Sequence, residues 1–124
     1  MSALVVAGLG VAGGTGSVAR FVVDAVVSAR RRGPFPVATL LVNVTGSLLL
    51  GLLTGLVLFD GVDDGWRLVL GTGFCGGFTT FSTASWASVR LVQEGRGPVA
   101  VLNLVAQLAL STTAAVIGLA LSRL

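Results

Sequence analysis

The chain has 124 residues, of which 54% are hydrophobic and only 10% charged, where soluble domains carry roughly 25% charged residues. So few charges cannot cover so much apolar surface in a chain long enough for a single domain, which excludes a water-soluble globule and points to lipid as the solvent. A net charge of +3 with no basic stripe and no stacking platform excludes nucleic-acid binding, and the lack of His, Lys and Tyr removes the usual general bases, Schiff-base amines and metal ligands of an enzyme.

In chain order, long apolar stretches mark four predicted membrane-spanning helices in one domain, about 3–27, 37–59, 66–89 and 98–121. Each lies near the roughly 20 residues that a helix needs to cross the hydrocarbon core. The fold class expected is therefore an all-α integral membrane protein. The first stretch has no basic side chain ahead of it, so it reads as a span and not as a cleaved signal peptide. Its Gly8-x-Gly10-x-x-Gly13 matches a dinucleotide-binding fingerprint, but the spans that follow are too long and uniform for the strands of a doubly wound sheet. Gly10/Gly14 and Gly51/Gly55 instead have the four-residue spacing of close helix contacts in bilayers.

The connectors are Arg30-Arg31-Arg32-Gly33-Pro34, Asp60-Gly61-Val62-Asp63-Asp64-Gly65 and Glu94-Gly95-Arg96-Gly97-Pro98. Each supplies the Gly, Pro or charge that ends a helix or keeps the chain in water. Trp66 falls at an interfacial position, and Pro98 suits a first helical turn, where no backbone N–H is needed. The lone Cys75 has no partner for a disulfide and no second metal ligand.

Polar groups inside spans are costly, and they mark either contacts between helices or a pathway. Thr39, Asn43, Gly46 and Ser47 share one face of the second span, where Asn43 is either a bridge to another helix or a donor to a solute. Asn103, Gln107 and Ser111, spaced by four, read as a wet track along the fourth. In the third span, Gly71, Gly73, Gly76 and Gly77 each cost a helix about 1 kcal/mol relative to Ala, and threonines follow at once. The helix is expected to break near residues 73–80, leaving backbone groups for protein, water or an ion to satisfy.

At these residues the chain resembles the Fluc (CrcB) family of bacterial fluoride channels. The matching segments are Gly13-Gly14-Thr15-Gly16-Ser17-Val18-Ala19-Arg20-Phe21, Thr39-Leu40-Leu41-Val42-Asn43-Val44-Thr45-Gly46-Ser47 and Gly73-Phe74-Cys75-Gly76-Gly77-Phe78-Thr79-Thr80-Phe81-Ser82-Thr83. The resemblance implies a fluoride-specific channel in the cell membrane, built as an antiparallel, dual-topology dimer with pores along the subunit interface. It also implies a structural sodium ion held by the backbone carbonyls of Gly76 and Thr79. On the fluoride path it places Asn43, Phe81, Thr39 and Ser111, with Thr80 and Gln107 beside them. Three positions depart from the family pattern. Ala84 stands where a second phenylalanine is usual, and Asn103 and Gln107 stand where an aromatic and a small hydroxyl are more frequent.

The connectors after the first and third spans carry Arg30, Arg31, Arg32, Arg90 and Arg96, against Arg67 and Arg123 on the other side. Five against two predicts a fixed orientation with both termini outside the cytoplasm. Together with Ala84 it predicts a heterodimer with a homologous subunit of opposite orientation. The alternatives are a non-conducting accessory subunit and a proton-coupled multidrug exporter, the latter opposed by the lack of any mid-span carboxylate, Asp24 lying near a span end.

Overall fold

The computed structural model describes residues 2–124 as an all-helical chain. Helix α1 (Ala3–Arg30) starts where the Ser2 hydroxyl accepts from the Val5 N–H at 3.2 Å, and it stops where Arg31 turns extended. Helix α2 (Val37–Asp60) ends on Gly61, whose φ of 69° no side-chain-bearing residue adopts cheaply. The Asp63 carboxylate caps a short α3 (Asp64–Trp66), which passes directly into a π-helix, π1 (Arg67–Cys75), and then into α4 (Gly76–Phe78). Helices α5 (Phe81–Gln93) and α6 (Gly97–Leu121) complete the chain, with Pro98 in the first turn of α6. Helices α1, α2 and α6 are each long and apolar enough to cross a membrane.

The interruption between α4 and α5 is narrower than the window of residues 73–80. The glycine-rich stretch stays wound, and only Thr79 and Thr80 are extended. A wider helical turn is what the glycines permit. The Gly76 N–H still finds the Gly71 carbonyl five residues back. The winding yields where two β-branched residues meet and where the Thr80 hydroxyl offers the Thr83 N–H a substitute acceptor at 3.1 Å.

The glycines instead let backbones touch. A Cβ on Gly77 would strike the Gly13 carbonyl and one on Gly16 the Phe74 carbonyl, which seats π1 and α4 against α1. A Cβ on Gly51 would strike the Ala115 carbonyl and one on Gly118 the Leu48 carbonyl, which joins α2 to α6. Gly55 likewise faces Ser122. Gly10 and Gly14 make no such contact, since nothing lies within 4 Å of a Cβ on either. Four-residue spacing puts two residues on one face without saying which face packs, and on α1 the packed face carries Gly13 and Gly16.

The interior is small and polar while the exterior is large and apolar. Thr39, Thr80, Ser88, Asn103 and Gln107 are buried beside Ala38, Val42, Ala84 and Ala100, whereas Leu4, Phe21, Leu108 and Phe81 lie outside. Lipid tails are as apolar as leucine, so burying leucine between helices gains little and polar contacts take over as the specific ones.

Candidate functional site

The interruption is held by Asn43 of α2. Its Oδ1 accepts from the Thr80 N–H at 2.8 Å, and its Nδ2 donates to the Thr80 carbonyl at 2.9 Å. One side-chain amide thus replaces both helical partners of an extended residue. The second Nδ2 hydrogen goes to Gln107 Oε1 on α6 at 2.9 Å. Gln107 Nε2 donates to Asn103 Oδ1 at 3.1 Å, and Asn103 Nδ2 donates to Ser88 Oγ at 2.8 Å and to the Ala84 carbonyl at 3.3 Å. The Ser88 hydroxyl also donates to that carbonyl, at 3.1 Å.

These bonds form one chain of donors that runs in a single direction from the break to α5. Its polarity is set at both ends by groups that cannot reverse. At one end the Thr80 N–H can only donate, and at the other the Ala84 carbonyl can only accept. Every amide between them is thereby oriented, and each bond polarises the next.

The structure brings most of the sequence-predicted residues to one place. Asn43, Thr79, Thr80, Phe81, Gln107 and Ser111 line a groove of about 300 Å³ that has no ionisable side chain in its wall. Phe81, the first residue of α5, is 85% exposed at its rim. Ser111 presents a buried hydroxyl oxygen without a hydrogen-bond partner among the described residues. Two of the predicted residues lie elsewhere. Thr39 is in a separate cavity of about 180 Å³ with Arg20 and Asp24, and Thr80 walls both spaces. Gly76 borders a third, of about 250 Å³, which shares Thr79 with the groove.

Two sequence readings change with this geometry. Asn43 lines the groove, but both of its amide hydrogens are committed inside the subunit, so it clamps the break. The wet track on α6 is dry at one end: Asn103 has 0% exposure, and only Gln107 and Ser111 reach the groove. Ser88 was not singled out in the sequence. The only trace of it there is the small-residue spacing of Ala84 and Ser88 on the face of α5 that meets α6.

The break also redirects two carbonyls. The Thr80 N–H, which in a continuous helix would serve the Gly76 carbonyl, goes to Asn43 Oδ1. The Thr83 N–H, which would serve the Thr79 carbonyl, goes to Thr80 Oγ1. The Cys75 carbonyl, by contrast, receives both the Thr79 N–H at 2.8 Å and the Thr79 hydroxyl at 2.7 Å. Among the described residues no three His, Cys, Asp or Glu side chains come together as a metal site.

Residues 7–119 match the family described as CrcB-like protein, Camphor Resistance (CrcB). The chain belongs to the CrcB family. Among similar CrcB proteins, one from Leifsonia xyli named fluoride-specific ion channel FluC 1 is 49% identical over 96% of this chain and 87% of its own length. One from Cutibacterium acnes named fluoride-specific ion channel FluC 2 is 46% identical over 89% of this chain and 90% of its own. A third, from Pyrococcus abyssi and named fluoride-specific ion channel FluC, is 40% identical over 91% of each. All three names describe ion channels, a class without enzymatic chemistry.

Proposed function

We propose that this chain is a subunit of a fluoride-specific channel that passively exports cytoplasmic fluoride across the cell membrane and so lowers its toxicity. The observation that carries the reading is the groove, where neutral N–H and O–H groups and an exposed phenylalanine surround a backbone break with no charge in the wall. Fluoride is small and tightly hydrated, so a path must supply hydrogen-bond donors as water is stripped away. Neutral donors do this without the deep trap of a buried arginine, and conduction requires that the ion leave as well as enter. The edge of a phenylalanine ring is its positive side and can face an anion. Hydrofluoric acid enters neutral and dissociates inside. A membrane potential worth about 2.3 kcal/mol per charge per 100 mV then drives the anion out, with no ATP.

In this reading the run from α3 through α5 is a fourth, interrupted crossing, and the chain pairs with a homologous subunit of opposite orientation. The site supports a pairing, because Phe81 and the open side of the groove present a half-built path to a second surface. The arginine imbalance favours a fixed orientation with non-cytoplasmic termini, and hence a heterodimer. A structural sodium ion fits the carbonyls of Gly76 and Thr79, whose usual donors have gone to Asn43 and Thr80. Hard cations favour oxygen ligands, and a bound sodium would offset the carbonyl dipoles at the break.

The test is anion efflux from liposomes containing the purified chain, alone and with a co-expressed homologue. Fluoride efflux is expected with no chloride efflux above protein-free vesicles. Comparable fluoride and chloride efflux, or none of either in both preparations, refutes the assignment.

A further inference from the structure

Arginines far apart in the sequence meet at one end of the helices. Arg31 and Arg32 follow α1, Arg90 lies in the last turn of α5, and all three line one cavity of about 390 Å³. Phe35 and Trp86 give it aromatic walls, and the Arg90 guanidinium carbon lies 5.3 Å from the centroid of the exposed Trp86 ring. The connector that carries Arg31 and Arg32 is stiff. Gly33 turns at a φ of 116°, and Pro34 and Pro36 have their own φ fixed, so little order is left to impose when a ligand arrives.

The positive charge is largely unpaired. Among the described residues Arg31 and Arg32 form no ion pair, and Arg90 has only an exposed pair with Glu94 at 3.6 Å. Asp24 is the one carboxylate in the wall. It lies seven residues before Arg31, about 10 Å along the axis, where this cavity shares its lining with the one that holds Arg20. Two apolar helices of membrane-crossing length, α1 and α2, are joined at this connector. Val26 and Val89, each beside a lining residue in sequence, expose apolar surface next to the charge.

We propose that this cavity binds the headgroup of an anionic phospholipid, with Arg31, Arg32 and Arg90 around the phosphate and the acyl chains along the adjoining apolar side chains. Guanidinium forks match phosphate oxygens in pairs, and basic pockets between membrane helices suit anionic headgroups. Trp86 fits the glycerol level, where one side of the ring is wet and the other apolar. A free phosphate would use the arginines and leave the apolar surface bare, which is why the lipid is the better occupant. The inference needs these helix ends to lie at a membrane surface and is independent of the fluoride path.

Tryptophan fluorescence reads the site directly, because the chain has only two tryptophans, Trp66 and Trp86. Trp66→Phe leaves Trp86 as the sole fluorophore in phosphatidylcholine vesicles doped with lipid brominated on its acyl chains. Brominated phosphatidylglycerol should quench Trp86 at about tenfold lower content than brominated phosphatidylcholine, since two unpaired arginines contribute about fivefold each and Asp24 opposes them. Arg31→Gln combined with Arg32→Gln should bring the two lipids within about twofold. In the companion variant Trp86→Phe, the remaining Trp66 should be quenched equally by both lipids. Equal quenching of Trp86 by the two lipids in Trp66→Phe overturns the inference without need of the arginine variants. A preference that survives the loss of both arginines, or that Trp66 shares, also overturns it, because general attraction to a charged bilayer then explains the result. Inorganic phosphate that relieves the quenching at the same concentration as the lipid assigns the cavity to a free anion and overturns the lipid.

Discussion

Asn103→Leu is the sharpest probe of whether the amide chain holds the fold together. Asn103 is fully buried and takes part in three hydrogen bonds, donating to Ser88 Oγ and the Ala84 carbonyl and accepting from Gln107 Nε2. In a water-soluble core, leucine could repay the loss by burying more apolar surface. Within a bilayer that gain is nearly absent, because the unfolded reference already sits among hydrocarbon. Interhelical bonds in membranes average about 0.6 kcal/mol, so losing three costs about 2 kcal/mol. A second route agrees. The substitution orphans the Gln107 N–H that Asn103 accepted, and an unpaired buried donor costs roughly 1–3 kcal/mol. The Ser88 hydroxyl is not orphaned, because it still donates to the Ala84 carbonyl.

A cost of about 2 kcal/mol changes the folded-to-unfolded ratio by about 30-fold, which SDS-driven unfolding in mixed micelles resolves. A double-mutant cycle with Ser88→Ala then isolates the 2.8 Å bond between the two side chains. The coupling expected is between about 0.6 and 1.7 kcal/mol. The reasoning fails if Asn103→Leu unfolds within about 0.5 kcal/mol of the parent, the scatter of ordinary surface substitutions. It also fails if the two substitutions add within about 0.3 kcal/mol, as independent sites do.

Gly118→Ala should destabilise the subunit by about 1–3 kcal/mol, since the new Cβ meets the Leu48 carbonyl and only separation of α2 from α6 relieves it. Gly14→Ala, which meets nothing within 4 Å, should be neutral or gain up to about 1 kcal/mol of helix propensity in the same unfolding assay. Gly76→Val should leave the subunit folded, because a Cβ there also meets nothing within 4 Å, yet prevent pairing of subunits if the Gly76 carbonyl faces a shared sodium ion. Cross-linking and helix content measured together check both halves of that expectation. Replacing sodium by a bulky organic cation should weaken pairing in the parent, and unchanged pairing would remove the ion from the proposal.

The spans were legible because hydrocarbon imposes a simple rule, a long apolar run ended by charge, Gly or Pro, and α1, α2 and α6 follow it. The break was legible in its neighbourhood but not in its position. Glycine propensity, measured in helices exposed to water, overstated the cost of Gly73, Gly76 and Gly77 in a helix that packs on α1 and widens to keep its bonds. Residue spacing identified faces but not partners. Thr39 and Ser47 were placed on one face, yet eight residues carry them about 12 Å apart along the axis and some 80° around it. Thr39 accordingly opens into the cavity with Arg20, and Ser47 into the groove. The link from Asn43 to Gln107 crosses 64 positions of sequence, and no local pattern on either helix announces it.

Two of the three positions at which the chain departs from the fluoride-channel pattern are neighbours. Asn103 donates to the carbonyl of Ala84, and the two residues close the same contact between α5 and α6. The Ala84 side chain, only 5% exposed, also lines the groove alongside Gln107. A phenylalanine at 84 would put its ring into the space that the Gln107 amide borders. A residue without an acceptor at 103 would leave the Gln107 Nε2 without its partner, with only the Gln107 oxygen still held, by Asn43. Alanine at 84 and amides at 103 and 107 are therefore parts of one arrangement, which in the proposed fluoride path sets an oriented amide where an aromatic edge is usual. Both surfaces serve an anion, but they reach it differently. A ring edge acts through a quadrupole that fades quickly with distance, whereas an amide held between the Asn43 and Asn103 side chains presents a fixed dipole already aimed before the ion arrives.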